Sequence, residues 1–403
     1  MLDEKYLIPI EKTEQLTELL ADKKIDALLV YTREGSDPTL PFLTGDDAIH
    51  LAAAFFRPDG NHIMLTSVSD KKKYEVSGIF SEVITYEQDT QVAFKELFDK
   101  LDIKTLALNI SENETLCDGL TQGLYLQLES VLGKDFLENQ TVSSEEILIT
   151  LRSKKSDTEI AHLREAIKIT QQIYSEVFTR IRCGMSEIEI AELFVEGLKR
   201  HDVVNGIGGG YEYPIVCLVR AGLAHRNPGH EKSRPGDILI VDFSVRYKGY
   251  VSDIARTAYF LNKNETKPPE SIQHAFQTAY DAITNSINAL RPGKKGHEID
   301  EVGRKTIEAG GYPTVRHSVG HQIGIACHEV GTRLSPPTRP HSDGVIASRE
   351  VYAIEPTVIQ DEGLPCMLVE ENVLVKDEDS EILSVRQDEL VLIPYTAGEA
   401  NGE

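Results

Sequence analysis

The stretch that decides the fold is Asp237-Ile-Leu-Ile-Val-Asp242-Phe-Ser-Val-Arg-Tyr-Lys-Gly-Tyr-Val-Ser-Asp253. Residues 238–245 are apolar and rich in β-branched side chains, and they follow the turn signal Pro235-Gly236, which together favour a strand. Residues 250–260 have the same character and predict a return strand. The segment is therefore expected to form a β-hairpin that carries two aspartates.

Two registers are open for this hairpin. A two-residue turn at Tyr247-Lys248 places Asp242 opposite Asp253, whereas a turn at Lys248-Gly249 places Asp253 opposite Ser244, one diagonal step from Asp242. In both cases the two carboxylates share a face of the sheet. Like charges at this distance repel each other, so both registers predict a cation between the aspartates.

A second cluster of polar residues follows downstream. The segment His317-Ser-Val-Gly-His321-Gln-Ile-Gly-Ile-Ala-Cys-His328-Glu329 contains three histidines, and its glycines favour a turn or a bulged strand over a helix. Two apolar strands then carry glutamates, in Val351-Tyr-Ala-Ile-Glu355-Pro and Met367-Leu-Val-Glu370-Glu371-Asn-Val-Leu-Val375. Taken singly, each glutamate also fits a surface strand, and a lone histidine is usually structural. Together, carboxylates and one imidazole suit Mn, Co, Fe or Zn, and bridging carboxylates can hold two ions.

With these motifs the chain resembles the creatinase, prolidase and methionine aminopeptidase family of metallopeptidases, whose catalytic fold is called pita-bread. The resemblance covers roughly residues 150–395 and implies five metal ligands, which are Asp242, Asp253, His321, Glu355 and Glu370. It also implies substrate-binding roles for His225, His317 and His328. Glu355 is expected to relay a proton, and His328 and His225 to donate hydrogen bonds to the developing oxyanion. His230 has no matching role and is interpreted as a surface-loop histidine.

The resemblance also implies an α+β architecture. Residues 1–150 are expected to form a creatinase-like α/β amino-terminal domain that serves dimerisation and shapes the active-site mouth. Residues 151–403 are expected to form a pseudo-symmetric pita-bread domain, in which helices cover a curved antiparallel sheet.

An internal duplication is visible in the sequence. A long predicted helix, an Arg-x-Gly turn and a short helix occur around Arg182, with a capping box at Ser186 and Glu189, and again around Arg291, 109 residues later (291 − 182). Because helix pairs are common, chance similarity is the alternative.

The predicted activity is hydrolysis of the bond between an amino-terminal residue and proline by a hydroxide that bridges two divalent ions, with Mn expected and Co, Zn or Fe as alternatives. Leu368 departs from the family pattern, which usually has an arginine two residues before the second glutamate. A catalytically weak or inactive peptidase scaffold, and an aminopeptidase of other specificity, are therefore kept as alternatives. A creatinase-type hydrolase and a methionine aminopeptidase are disfavoured, because the five ligands are intact and the amino-terminal segment is long. Dipeptidase and aminopeptidase are not separated.

The composition of the chain restricts its possible binding partners and its cellular location. The chain has 403 residues and a formal net charge of −23, from 65 acidic and 42 basic residues, which argues against nucleic acid and anionic membranes. No apolar stretch approaches the roughly 18 residues that span a bilayer, and the first residues do not resemble a signal peptide. The five scattered cysteines predict free thiols in the cytoplasm. Short proline-containing peptides and a homodimer are the expected partners.

Overall fold

A computed structural model of the protein describes residues 3–87, 89–220, 226–360 and 365–395. The chain divides into two compact units, Met1–Arg152 and Ser153–Glu403. None of the helices in the described ranges is long and apolar enough to cross a membrane. All five cysteines are buried and free, as the sequence predicts.

The first unit is built on a six-stranded mixed sheet with the strand order β4-β3-β2-β1-β5-β6. Its strands are β1 Ala27–Thr32, β2 Ala52–Phe56, β3 Ile63–Thr66, β4 Glu82–Thr85, β5 Leu106–Leu108 and β6 Thr141–Ser143. Its helices are α1 Leu7–Lys23, α2 Thr39–Thr44, α3 Lys71–Val76, α4 Thr90–Leu101, α5 Gln122–Leu132, α6 Lys134–Asn139 and α7 Glu145–Ser153, with 3-10 turns at Glu4–Tyr6 and Thr115–Cys117.

Both faces of this sheet are covered. Strand β1 alternates its side chains between two apolar clusters: Leu28 and Val30 pack into one, and Leu29 and Tyr31 into the other. A strand that is buried on both sides reads as a continuous apolar run, which is why residues 27–31 are recognisable as a strand from the sequence.

The described residues of the second unit form three sheets, with the strand orders β17-β12-β9-β8, β13-β14-β15-β16 and β11-β10-β7. Its strands are β7 Val204–Asn205, β8 Ile215–Val219, β9 Ile238–Phe243, β10 Val245–Tyr247, β11 Tyr250–Val251, β12 Ile254–Phe260, β13 Gly320–Gln322, β14 Val351–Ile354, β15 Glu371–Val375, β16 Ser380–Ile382 and β17 Val391–Ile393. Its helices are α8 Asp157–Phe178, α9 Glu187–Arg200, α10 Glu270–Ala289 and α11 Gly296–Ala309.

The order of elements repeats within this unit. A long and a short helix, α8 and α9, precede the four-stranded sheet that contains β9 and β12, and α10 and α11 precede the sheet of β13 to β16. Both short helices begin alike, because a glutamate accepts the backbone N–H three residues earlier at 2.7 Å: Glu189 from Ser186 and Glu298 from Lys295. These glutamates are 109 residues apart (298 − 189), which is the period predicted for the duplication.

The hairpin turn is formed by Lys248 and Gly249. Both have positive φ angles, 46° and 89°, as a type I′ turn requires, and glycine adopts this conformation at little cost. The pairings of Asp242 with Ala255 and of Arg246 with Val251 place Asp253 opposite Ser244. The register that pairs Asp242 directly with Asp253 is therefore wrong, and the register with the later turn is the one observed.

Candidate metal centre

Three antiparallel strands bring together three of the predicted ligands, His321, Glu355 and Glu370. Strand β13 carries His321, Glu355 follows the last residue of β14, and Glu370 precedes the first residue of β15. Because β13 pairs with β14 and β14 with β15, these positions meet at one edge of the sheet. Gly320 permits the close pairing, since a Cβ there would lie 2.4 Å from the carbonyl oxygen of Ala353.

The hairpin supplies carboxylates to the same place. Asp253 lies between β11 and β12, where Ser244 Oγ donates to its Oδ1 at 3.1 Å. The side chain of Asn372, on β15, accepts from the backbone N–H of Asp253 at 3.1 Å and donates to its carbonyl oxygen. Glu370 N donates to the carbonyl of Ala255 at 3.2 Å. The two four-stranded sheets are thus joined by hydrogen bonds at the ligand residues themselves.

The side chains converge on one cavity of about 390 Å³. It is lined by all five predicted ligands, by two of the predicted substrate-site histidines and by an apolar wall: Asp242, Asp253, His321, Glu355, Glu370, His317, His328, Cys327, Ile207, Thr357, Ile359 and Leu368. One ligand atom each from Asp253, His321 and Glu370 lie within 4.8 Å of one another.

The spacing of these atoms fits coordination of a shared ion. His321 Nε2 lies 3.5 Å from Asp253 Oδ2 and 3.7 Å from Glu355 Oε1. Two ligand atoms that are each about 2.1 Å from one ion lie roughly 3.0–3.4 Å apart at angles of 90–110°. A displacement of a few tenths of an ångström would therefore bring His321 and these two carboxylates to the separations expected for ligands of one divalent ion.

The shifted pKa values of the clustered carboxyl groups also favour a bound cation. Burial, and then the charge of Asp242, raises the pKa of Asp253 to about 8. Burial and the neighbouring carboxylates raise the pKa of Glu355 and of Glu370 well above their ordinary range. Burial, followed by His328, lowers the pKa of His321 to about 3, so its contact with Asp253 is not an ion pair. A cation offsets this mutual repulsion.

A buried arginine forms hydrogen bonds to the backbone next to the ligand residues. Arg256, on β12, donates to the carbonyl oxygens of Ala255, Glu370 and Val385 at 2.7–2.9 Å and to Glu371 Oε2 at 3.1 Å. Leu368, where the family usually has arginine, lies in the cavity wall instead. A guanidinium is thus present beside Glu370, but it comes from a different strand.

The predicted substrate histidines have different outcomes. His317 and His328 line the cavity, and the ring centroids of His321 and His328 are 4.3 Å apart. His225 lies outside the described residues. His230 is exposed, as predicted for a loop histidine. A second cavity of about 250 Å³ shares His317, His321, His328 and Glu355 with the first and adds Arg333 and Arg339.

Some residues of the site are not predicted as such from the sequence. Asn372 has a weak signal, because it is a polar residue inside an apolar strand, and such residues are depleted from strands. Cys327 is one of the five cysteines that the sequence predicts to be free thiols, and it lines the cavity. Ile207 has no signal, since it is more than 30 residues from any ligand in the chain.

The part of the chain that contains the candidate site is similar to a known protein family. The profile of Metallopeptidase family M24 matches residues 161–377, which include all five predicted ligands. An uncharacterized peptidase of Bacillus subtilis is 24% identical over 384 residues, which are 95% of this chain and 100% of the relative.

Two solved structures show the same fold. The X-Pro aminopeptidase of Thermotoga maritima has a TM-score of 0.71 at 22% identity, with 92% of this chain and 98% of that chain covered. The Xaa-Pro dipeptidase of Bacillus anthracis has a TM-score of 0.71 at 21% identity, with 96% and 100% covered. These likenesses confirm the predicted α+β fold, in which an amino-terminal domain precedes a pita-bread region.

Proposed function

We propose that this chain, which belongs to metallopeptidase family M24, hydrolyses the bond between an amino-terminal residue and proline with two divalent ions. Asp242, Asp253, His321, Glu355 and Glu370 would hold the ions. The observation that carries the proposal is the convergence of four carboxylates and a neutral imidazole on one cavity. The solved structures of an X-Pro aminopeptidase and an Xaa-Pro dipeptidase with the same fold support the choice of substrate.

When bound, divalent ions supply Lewis-acid activation of water and of the scissile carbonyl. Glu355 is the group to which we assign proton transfer, because its carboxyl borders the cavity beside the other candidate ligands. We assign to His328, which lines the same cavity, a hydrogen bond to the developing oxyanion. One such donor typically contributes about 3 kcal/mol to transition-state binding.

The second cavity suggests where a substrate carboxylate would lie. Arg333 and Arg339 border it, and it shares His317 and Glu355 with the metal cavity. Arginine binds carboxylates in a bidentate manner, so these residues are our candidates for anchoring the carboxyl end of a short peptide. This arrangement suits the carboxyl end of a dipeptide or tripeptide.

The experiment is release of the first amino acid from Ala-Pro and from Ala-Pro-Ala, measured side by side after Mn²⁺ loading. Ala-Ala controls for proline specificity, and parallel loading with Co²⁺, Zn²⁺ and Fe²⁺ tests the metal. Cleavage of Ala-Pro alone would identify a dipeptidase, and cleavage of Ala-Pro-Ala an aminopeptidase. Turnover of neither peptide by protein that has bound metal would contradict the proposal and favour a binding role for the scaffold.

A further inference from the structure

A cysteine that lines the cavity, Cys327, has no part in the function proposed above. Cys327 is 7% exposed, and its Sγ lies 2.9 Å from Asp253 Oδ2. The same carboxylate oxygen lies 3.5 Å from His321 Nε2. A thiol therefore shares its nearest partner with the imidazole of the candidate metal centre.

The loop that carries Cys327 is held in place by its own hydrogen bonds. The buried carboxylate of Glu329 accepts from the backbone N–H groups of Ile325, Ala326 and Val330 at 2.9–3.4 Å. Glu329 N donates to the carbonyl of Gln322 at 2.9 Å, which ties the loop back to the strand that bears His321. The sulfur atom is consequently fixed beside the cluster by the same strand that fixes the imidazole.

We propose that Cys327 is a sulfur ligand for thiophilic ions at this centre. Zn²⁺, Co²⁺ and Cd²⁺ would bind with the sulfur atom in their coordination sphere, whereas Mn²⁺ would be held by oxygen and nitrogen alone, because hard ions disfavour sulfur. On binding, the S–H bond breaks, the proton leaves to water and the sulfur electron pair forms the bond to the ion, without oxidation or reduction. The inference rests on the metal centre of the proposed function.

The spacing is compatible with this role. Oxygen and sulfur ligands at about 2.1 Å and 2.3 Å from one ion lie roughly 3.1–3.6 Å apart at 90–110°. The observed separation of Sγ and Asp253 Oδ2 is 2.9 Å, so the sulfur atom would move outward by a few tenths of an ångström to share an ion with this carboxylate. The thiol thus controls which ion the site prefers and leaves the carboxylate set unchanged.

The test is the absorption spectrum of the full-length protein during titration with Co²⁺. The expected result is a near-ultraviolet charge-transfer band from thiolate to cobalt that is absent from Cys327→Ser. Cys183→Ser is the matched control, because Cys183 is also buried but does not line the cavity. In calorimetric titrations, Cys327→Ser should weaken Cd²⁺ binding by about 10-fold or more and change Mn²⁺ binding by less than about 3-fold.

Two results would overturn the inference. One is Co²⁺ binding to the wild-type protein without the band; the other is a band that persists in Cys327→Ser. Cys327→Ala guards against a folding artefact, and if both variants lost Mn²⁺ and Cd²⁺ binding equally, a sulfur-specific role would be refuted. Ala-Pro hydrolysis by the Mn²⁺-loaded wild type reports separately on the proposed function, so the two ideas fail in different experiments.

Discussion

At the scale of single residues, the protonation state of His321 determines which of its ring nitrogens is free to bind a metal ion. Its Nδ1 lies 3.2 Å from the carbonyl oxygen of Gln322, which can only accept, so Nδ1 carries the proton of the neutral ring. The lone pair of Nε2 then faces Asp253 and Glu355. A backbone carbonyl that fixes the tautomer in this way is a common feature of histidines that bind metal.

His321→Ala is therefore expected to abolish metal binding and turnover. The loss in kcat/KM should exceed about 100-fold, which is the upper range for residues that merely support a ligand. Calorimetric titration with Mn²⁺ and hydrolysis of Ala-Pro are the measurements, and His230→Ala is the control, because His230 is exposed on a loop. Full activity of His321→Ala would refute its assignment as a ligand.

Glu355→Gln tests proton transfer with almost no change in side-chain volume. We expect kcat to fall by about 10²- to 10⁴-fold, because an amide cannot take up and return a proton. Metal stoichiometry, measured by elemental analysis, should fall by much less than kcat. A variant that retained wild-type kcat would exclude Glu355 as the proton-transfer group.

Strand contacts at the scale of elements determine whether the ligands meet. Arg256 joins β12 to the segment that enters β15, and it pairs with Glu371, which is buried even more completely than Arg256. Removal of one partner of a buried pair leaves the other charge uncompensated, and this costs more than the pair contributes.

Arg256→Met should lower the free energy of unfolding by roughly 3–5 kcal/mol. The double variant Arg256→Met with Glu371→Gln should recover part of this loss, because the orphaned charge is gone. Urea unfolding provides the measurement. Arg164→Met is the control, since Arg164 pairs with Glu381 on the surface and such pairs contribute about 1 kcal/mol or less.

Gly320→Ala tests the pairing of β13 with β14. The added Cβ would lie 2.4 Å from a backbone oxygen of β14, so the strands must separate and His321 must move. We expect a loss of about 1–3 kcal/mol in stability together with weaker Mn²⁺ binding. Gly123→Ala, in helix α5 with no atom within 4 Å of the new Cβ, should leave Mn²⁺ binding unchanged. Unaltered Mn²⁺ affinity in Gly320→Ala would show that this pairing does not position the ligand.

At the scale of the whole molecule, the cluster links stability to pH and metal. The pKa of Asp253 is about 8 in the folded chain against its ordinary 3.8, so the folded state holds this proton more tightly than the unfolded state does. The resulting stabilisation is complete below about pH 4 and is lost as the pH rises towards 8. A bound divalent ion replaces the lost protons.

The rise in Tm on adding Mn²⁺ should therefore be larger at pH 8 than at pH 5, by at least about 3 °C. Thermal unfolding of metal-free and Mn²⁺-loaded protein at both pH values tests this expectation, with His321→Ala as the variant in which the effect should vanish. An equal or larger rise at pH 5 would contradict the assignment of these carboxylates as ligands.

The homodimer and the cytoplasmic location remain predictions.

The sequence by itself determined which residues could form the site and which elements carry them. Asp242, Asp253, Glu355 and Glu370 stand out because carboxylates lie within or beside apolar strand sequences, where an isolated charge is costly. The resemblance to the metallopeptidase family selected His321 from the three histidines. The periodicity of apolar residues and the capping signals likewise predicted the helix pairs and their repeat, because helix formation and capping depend on residues that are close in sequence.

Only the tertiary structure decided the register and the surroundings of the ligands. Both hairpin turns fit the local sequence, and the positive φ angles of Lys248 and Gly249 select the later one. Arg256 reaches Glu370, and Cys327 reaches Asp253, across 114 and 74 residues of chain respectively. Contacts of this kind leave no periodic signal, because they depend on how separate strands pair, and pairing is set by the packing of the whole sheet.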